Sequence, residues 1–180
     1  MAHNQRVLRN NLPLRMLPVK GSVAEIEVGD LVFFDSNFQA NSNQDTVRPA
    51  SSGSAGASAA DGRYQFANLF AGVATQGHHA TSYDKNVPVA VDAEIEVTIA
   101  NSTGTATAAN AIVAQGTKVG VAVNGSFVPL NGGLVQVDGL LSVTVADNEA
   151  IGRTSRQIKS GDTTCWVHIK SVYVFGQTGV

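Results

Sequence analysis

The chain has 180 residues, of which 14% are charged, with a formal net charge of −2 and a single cysteine. A chain this long buries roughly 70% of its unfolded surface, so it needs no metal or disulfide staple, and one cysteine excludes an intrachain disulfide. The near-neutral balance excludes a whole-protein footprint for nucleic acid, and no apolar run approaches the ~20 residues that span a bilayer.

Residues 1–22 read as an extended N-terminal arm. Arg6, Arg9, Arg15 and Lys20 precede the first acid, Glu25, and Pro13 and Pro18 prevent a long helix. Leu8, Leu12, Leu14 and Leu17 are set among these charges, which suits a clasp laid on another surface. The N-terminus has no hydrophobic signal core, so a soluble protein made without a secretory leader is expected. Residues 23–180 then form one β domain.

At the start of that domain, Ile26 and Val28 alternate with Glu25 and Glu27, the period-2 pattern of a half-buried strand. Gly29-Asp30 turns the chain, and Leu31 to Phe34 form an unbroken β-branched and aromatic run, as in a strand buried on both sides. Residues 36–60, rich in Ser, Ala and Asn, read as a long loop interrupted only by Val47-Arg48-Pro49. Asp61 is the expected cap of one short helix through Tyr64, Phe66, Ala67, Leu69 and Phe70.

The β pattern resumes with Ile95, Val97 and Ile99 on one face and the solvated Glu94, Glu96 and Thr98 on the other. Asn101-Ser-Thr-Gly is a turn. Strands at Val119–Val123, Leu134–Val137 and Leu140–Val145 are separated by Asn124-Gly125 and Asn131-Gly132-Gly133, strong hairpin signals. The last strand runs from Thr164 to Phe175. Its core face carries Cys165 as an inert thiol, and its other face carries Trp166, His168 and Lys170, a candidate subunit interface. The fold expected is all-β: a compact barrel or sandwich of short antiparallel strands with one short helix.

Gln115-Gly116-Thr117-Lys118-Val119 repeats the glycine turn before a β run. A second glycine follows at Gly72 in one case and Gly152 in the other, 43 and 36 residues on. The likeness hints at two related β units.

No catalytic constellation is found. His78 and His79 are adjacent, so on an extended chain they point apart and do not share a metal. No Gly-x-Ser-x-Gly elbow or phosphate-cradling loop occurs. The expectation is a protein that is not an enzyme and has neither cofactor nor metal.

The series Gly29-Asp30-Leu31-Val32, Phe70-Ala71-Gly72-Val73-Ala74, Gly116-Thr117-Lys118-Val119, Ala150-Ile151-Gly152-Arg153 and Val167-His168-Ile169 resembles the decoration, or cement, proteins of tailed-bacteriophage capsids. The likeness is to the group with a small β-barrel or β-tulip-like domain. It implies a homotrimer on the outer capsid surface of the virion, made in the host cytoplasm, that binds the major capsid protein and stabilises contacts between capsomers. It also implies an arm reaching the shell through Arg6, Leu8, Arg9, Leu12, Leu14, Arg15 and Leu17, with neither nucleic acid nor membrane as partner. The alternative is a receptor- or glycan-binding head module using Trp166, His78, His79, Tyr83 and the long loop.

Overall fold

The computed structural model describes residues 8–9, 14–19, 25–35, 46–53, 56–79, 85–108, 112–130 and 132–171. The elements in order are β1 (Leu8–Arg9), β2 (Leu14–Pro18), β3 (Leu31–Phe34), β4 (Val47–Pro49), helix α1 (Ala59–Leu69), β5 (Phe70–Ala74) and β6 (Asn86–Ala90). There follow β7 (Asp92–Asn101), β8 (Gly104–Thr105), β9 (Lys118–Val121), β10 (Leu134–Val137), β11 (Gly152–Thr154) and β12 (Thr164–Lys170). The described residues are all-β apart from α1 and short 3-10 turns.

The strands close into two rings of the same design. In the first, the order β2-β6-β5-β3-β4 returns to its start through a parallel bridge between Val19 and Val47. In the second, β7-β12-β11-β9-β10 returns through a parallel pairing of β10 with β7, Val135 against Ile99. All other pairings between named strands are antiparallel. Closure answers the choice between barrel and sandwich, and it removes the open edges that a flat sheet would leave.

The match extends to single residues. Val32 lies across from Gly72 as Val119 lies across from Gly152, and Ala74 across from Val89 as Thr154 across from Val167. Ile26 bridges His78 as Val113 bridges Ile158. Gly29 and Gly116 turn the chain with φ of 88° and 86°. The hint of two β units is therefore an internal duplication. The two spacings differ because the first unit carries α1 between its third and fourth strands, β4 and β5, where the second has only loops and a 3-10 turn.

Alternation then decides what fills each ring. Leu17, Val19, Val32, Phe34, Val47, Val87 and Val89 pack inside the first. Their counterparts Val97, Ile99, Val119, Val121, Val135, Cys165 and Val167 pack inside the second. Strand β3 is buried on both sides as expected: Leu31 and Phe33 face away from the first interior and join Phe66, Phe70 and the second core. Helix α1 is tied to the second ring by Arg63. Its guanidinium donates to Glu149 at 2.6 Å, to Gln136 at 3.0 Å and to the Thr144 carbonyl at 2.9 Å.

Several local expectations are corrected. Val28 is 46% exposed because it lies within a tight turn, in which the Glu27 N–H donates to the Asp30 carboxylate and the Asp30 N–H to the Glu27 carbonyl. Val47-Arg48-Pro49 is a ring strand set in the long polar stretch. Ser58, not Asp61, caps α1. Its hydroxyl accepts from the Asp61 N–H while the Asp61 carboxylate reaches back to the Ala57 N–H, a reciprocal cap. Leu140–Val145 is not a strand: Leu141 and Ser142 adopt φ of 54° and 61°, which breaks the extended run. The described part of the last strand ends at Lys170, and residues 172–175 lie outside the described residues.

Candidate functional site

The described parts of the N-terminal segment, residues 8–9 and 14–18, pair antiparallel with β7 and β6. Leu8 and Arg9 are in register with Ile95 and Glu94, and Leu14 to Pro18 with Ala90 to Asn86. Residues 14–18 therefore belong to the first ring rather than to a detached arm. Side chains on this strand divide by parity. Leu17 faces inward and is 5% exposed, so it serves the core and is not available to a partner. Leu14 and Met16 face outward at 52% and 60% exposure, with the exposed Arg15 between them. Arg6 and Leu12 lie outside the described residues.

Leu14 and Met16 are two exposed large apolar groups on one face of a single strand, whereas Val28, Tyr64, Ile112 and Leu141 are exposed singly in other elements. The corresponding outward positions in the second ring are Glu94 and Glu96. These acids are not simply solvated: Ser155 Oγ donates to Glu94 at 2.6 Å and Thr164 Oγ1 to Glu96 at 2.7 Å. Alternation along the N-terminal segment, with Leu14, Met16 and Pro18 against Arg15, Leu17 and Val19, was the signal that could have separated outward from inward residues.

Trp166, His168 and Lys170 share the outward face of β12, directly across from Glu96, Glu94 and Asp92 of β7. The row is occupied within the chain. The Arg156 guanidinium lies 4.6 Å from the Trp166 ring centroid, and His168 Nε2 lies 2.5 Å from Asp92 Oδ1. Cys165, immediately before Trp166 on β12, points into the core, and burial first, then the charges of Glu96 and Asp162, push its thiol up to about 12. It is the inert thiol expected.

His78 is half-buried in its bridge to Ile26, whereas His79 is exposed and lies 2.8 Å from Glu25. No group of three or more metal-ligating side chains comes together among the described residues. A small depression of about 60 Å³, open to solvent, lies between α1 and the 122–130 hairpin and is lined by Phe33, Phe66, Leu69, Pro129 and Gln65. No helix of the described residues is long and apolar enough to cross a membrane. No protein-family model matches the chain, and no curated protein matches it.

Proposed function

We propose that this protein is a structural component of a tailed-phage virion, bound as a homotrimer to the outer face of the capsid, where it stabilises contacts between capsomers. The observation that carries the reading is the outward face of β2, on which Leu14 and Met16 stand exposed. Such an apolar strip suits a mostly apolar surface on the major capsid protein. Many copies on one lattice gain avidity, so a contact this small suffices when repeated. Two closed rings stapled by a buried Arg63–Glu149 pair make a rigid body for such a clamp.

As a glycan platform Trp166 is less suited, because Arg156 lies over its ring. The test is to add the purified protein to capsids assembled without it and to heat both. Added protein is expected to raise the temperature at which shells release their genome, and three 18.7 kDa chains should give a native mass of 56.1 kDa or a multiple of it. An unchanged release temperature contradicts the reading. Deleting residues 1–20 is not a usable variant, since it removes the β2 strand of the first ring.

A further inference from the structure

The tip of the 122–130 hairpin carries a constellation of its own. A turn from Asn124 to Phe127 is closed by the Phe127 N–H, which donates to the Asn124 carbonyl at 2.9 Å, and Phe127 itself takes φ of 62°. Within this turn the Asn124 side chain is fixed, because its Oδ1 accepts from the Ser126 N–H at 2.9 Å and from the Val128 N–H at 3.0 Å. Two N–H donors on one atom mark it as the oxygen, so the other atom is the amide nitrogen Nδ2. No described group accepts from Nδ2, and none accepts from the Gly125 N–H.

Among the described residues Asn or Asp precedes glycine at Asp61-Gly62, Asn124-Gly125 and Asp138-Gly139, and only the middle pair leaves the glycine nitrogen free. The Gly62 N–H donates to the Ser58 carbonyl and the Gly139 N–H to the Val143 carbonyl, each at 2.9 Å. Asn101 is held much as Asn124 is, its Oδ1 accepting from the N–H groups of Thr103 and Gly104, but the residue after it is Ser102, whose side chain crowds the nitrogen. At Gly125 nothing lies within 4 Å of the place a Cβ would take. An unobstructed nucleophile, a carbonyl oxygen already facing two donors and a leaving group free to depart therefore meet at Asn124.

We propose that Asn124 is a self-modification site, converted to aspartate in the folded protein with water as the only co-reactant. The Gly125 nitrogen loses its proton to solvent and bonds to Asn124 Cγ, while the C=O electron pair moves onto Oδ1, where the Ser126 and Val128 N–H groups meet the charge. Collapse breaks the Cγ–Nδ2 bond, Nδ2 takes up a proton and leaves as ammonia, and a five-membered imide remains. Water then adds to one imide carbonyl. Addition at Cγ breaks its bond to the Gly125 nitrogen and gives aspartate, whereas addition at the main-chain carbonyl gives isoaspartate. Both donors polarise Oδ1, so the folded chain directs water to Cγ; an unfolded chain has no such bias and gives mainly isoaspartate. The aspartate keeps both N–H bonds, now charge-assisted, and adds one negative charge to the formal −2 of the chain. The conversion stands whether or not the protein binds a shell.

The test follows the full chain and the same chain in urea, kept in one mildly alkaline buffer and digested at intervals. Mass spectrometry then separates asparagine, aspartate and isoaspartate at position 124. The folded chain should convert Asn124 at least as fast as the unfolded chain, and mainly to aspartate. Isomerisation of Asp138, whose following glycine N–H is bonded, should appear only in urea. Gly125→Ala, which the open space admits, should slow the folded reaction at least tenfold while leaving the circular dichroism spectrum unchanged. An Asn124 that outlasts its unfolded counterpart overturns the proposal, and so does a product rich in isoaspartate in both samples. Equal isomerisation of Asp138 in both also overturns it, since a bonded glycine nitrogen would then offer no protection. An undiminished rate in Gly125→Ala does the same, because it would mean direct hydrolysis of the amide by water rather than attack by Gly125.

Discussion

The two rings share every interior strand pairing, yet their outer surfaces have opposite chemistry. Inside, Leu17 corresponds to Val97, Phe34 to Val121 and Val89 to Val167, all aliphatic or aromatic and all buried. Outside, Leu14 and Met16 stand where the second ring has Glu94 and Glu96, and Pro88 and Ala90 where it has Trp166 and His168. Closing a small ring leaves little interior choice, because each inward side chain must fill a fixed volume. The outward positions carry no such constraint, and here the two rings diverge. Glu94 and Glu96 of the second ring are met by Ser155 and Thr164, whereas Leu14 and Met16 of the first stand exposed.

The largest effect should come from the glycines that both rings need. A Cβ on Gly72 would lie 2.2 Å from the Ala90 carbonyl oxygen, and one on Gly152 would lie 2.4 Å from that of His168. Gly72→Ala and Gly152→Ala should each cost on the order of 4 kcal/mol in urea unfolding, because the neighbouring strand must move. A ring that tolerates alanine would break the equivalence drawn between them. Next comes the staple between the halves. Arg63→Ala leaves Glu149 buried without its cation and should cost about 3 kcal/mol, with part restored by Arg63→Met combined with Glu149→Leu.

A smaller effect separates Thr154 from its counterpart Ala74. Thr154 Oγ1 donates to the Ala114 carbonyl and accepts from the Thr117 N–H, so Thr154→Ala should cost about 1–2 kcal/mol by leaving both without that partner. The Cys165 thiol, raised from 9.0 to about 12, favours the neutral form in the folded state. Its contribution to stability is complete below pH 9 and declines as pH rises from there towards 12. Cys165→Ala should therefore flatten the alkaline limb of a stability profile, and at pH 8 thiol labelling should track unfolding. Leu14→Asp with Met16→Asp should change stability least, by about 0.5 kcal/mol, since both side chains are exposed.

Much of this duplication was legible in the chain. Gly29, Gly72, Gly116 and Gly152 stood out because turns and close strand approach admit few other residues. The alternation of Ile95, Val97 and Ile99 and the turn at Asn101 were readable for the same local reasons. That Asn accepts from the N–H groups of Thr103 and Gly104. What escaped depends on partners far along the chain. Three residues, Val47 to Pro49, become a strand only because β3 and Val19 flank them. Leu17 looks like its neighbours Leu14 and Met16 until β6 fixes which way it faces. Ring closure itself rests on two parallel contacts between segments that no local pattern links.

The most direct test of the account is sedimentation of the purified protein with capsids assembled without it, run beside the Leu14→Asp, Met16→Asp chain. The account predicts that the unaltered chain pellets with the shells and that the substituted chain, equally folded, stays in the supernatant. Equal pelleting of the two would contradict the assignment of the first ring's outward face to the shell.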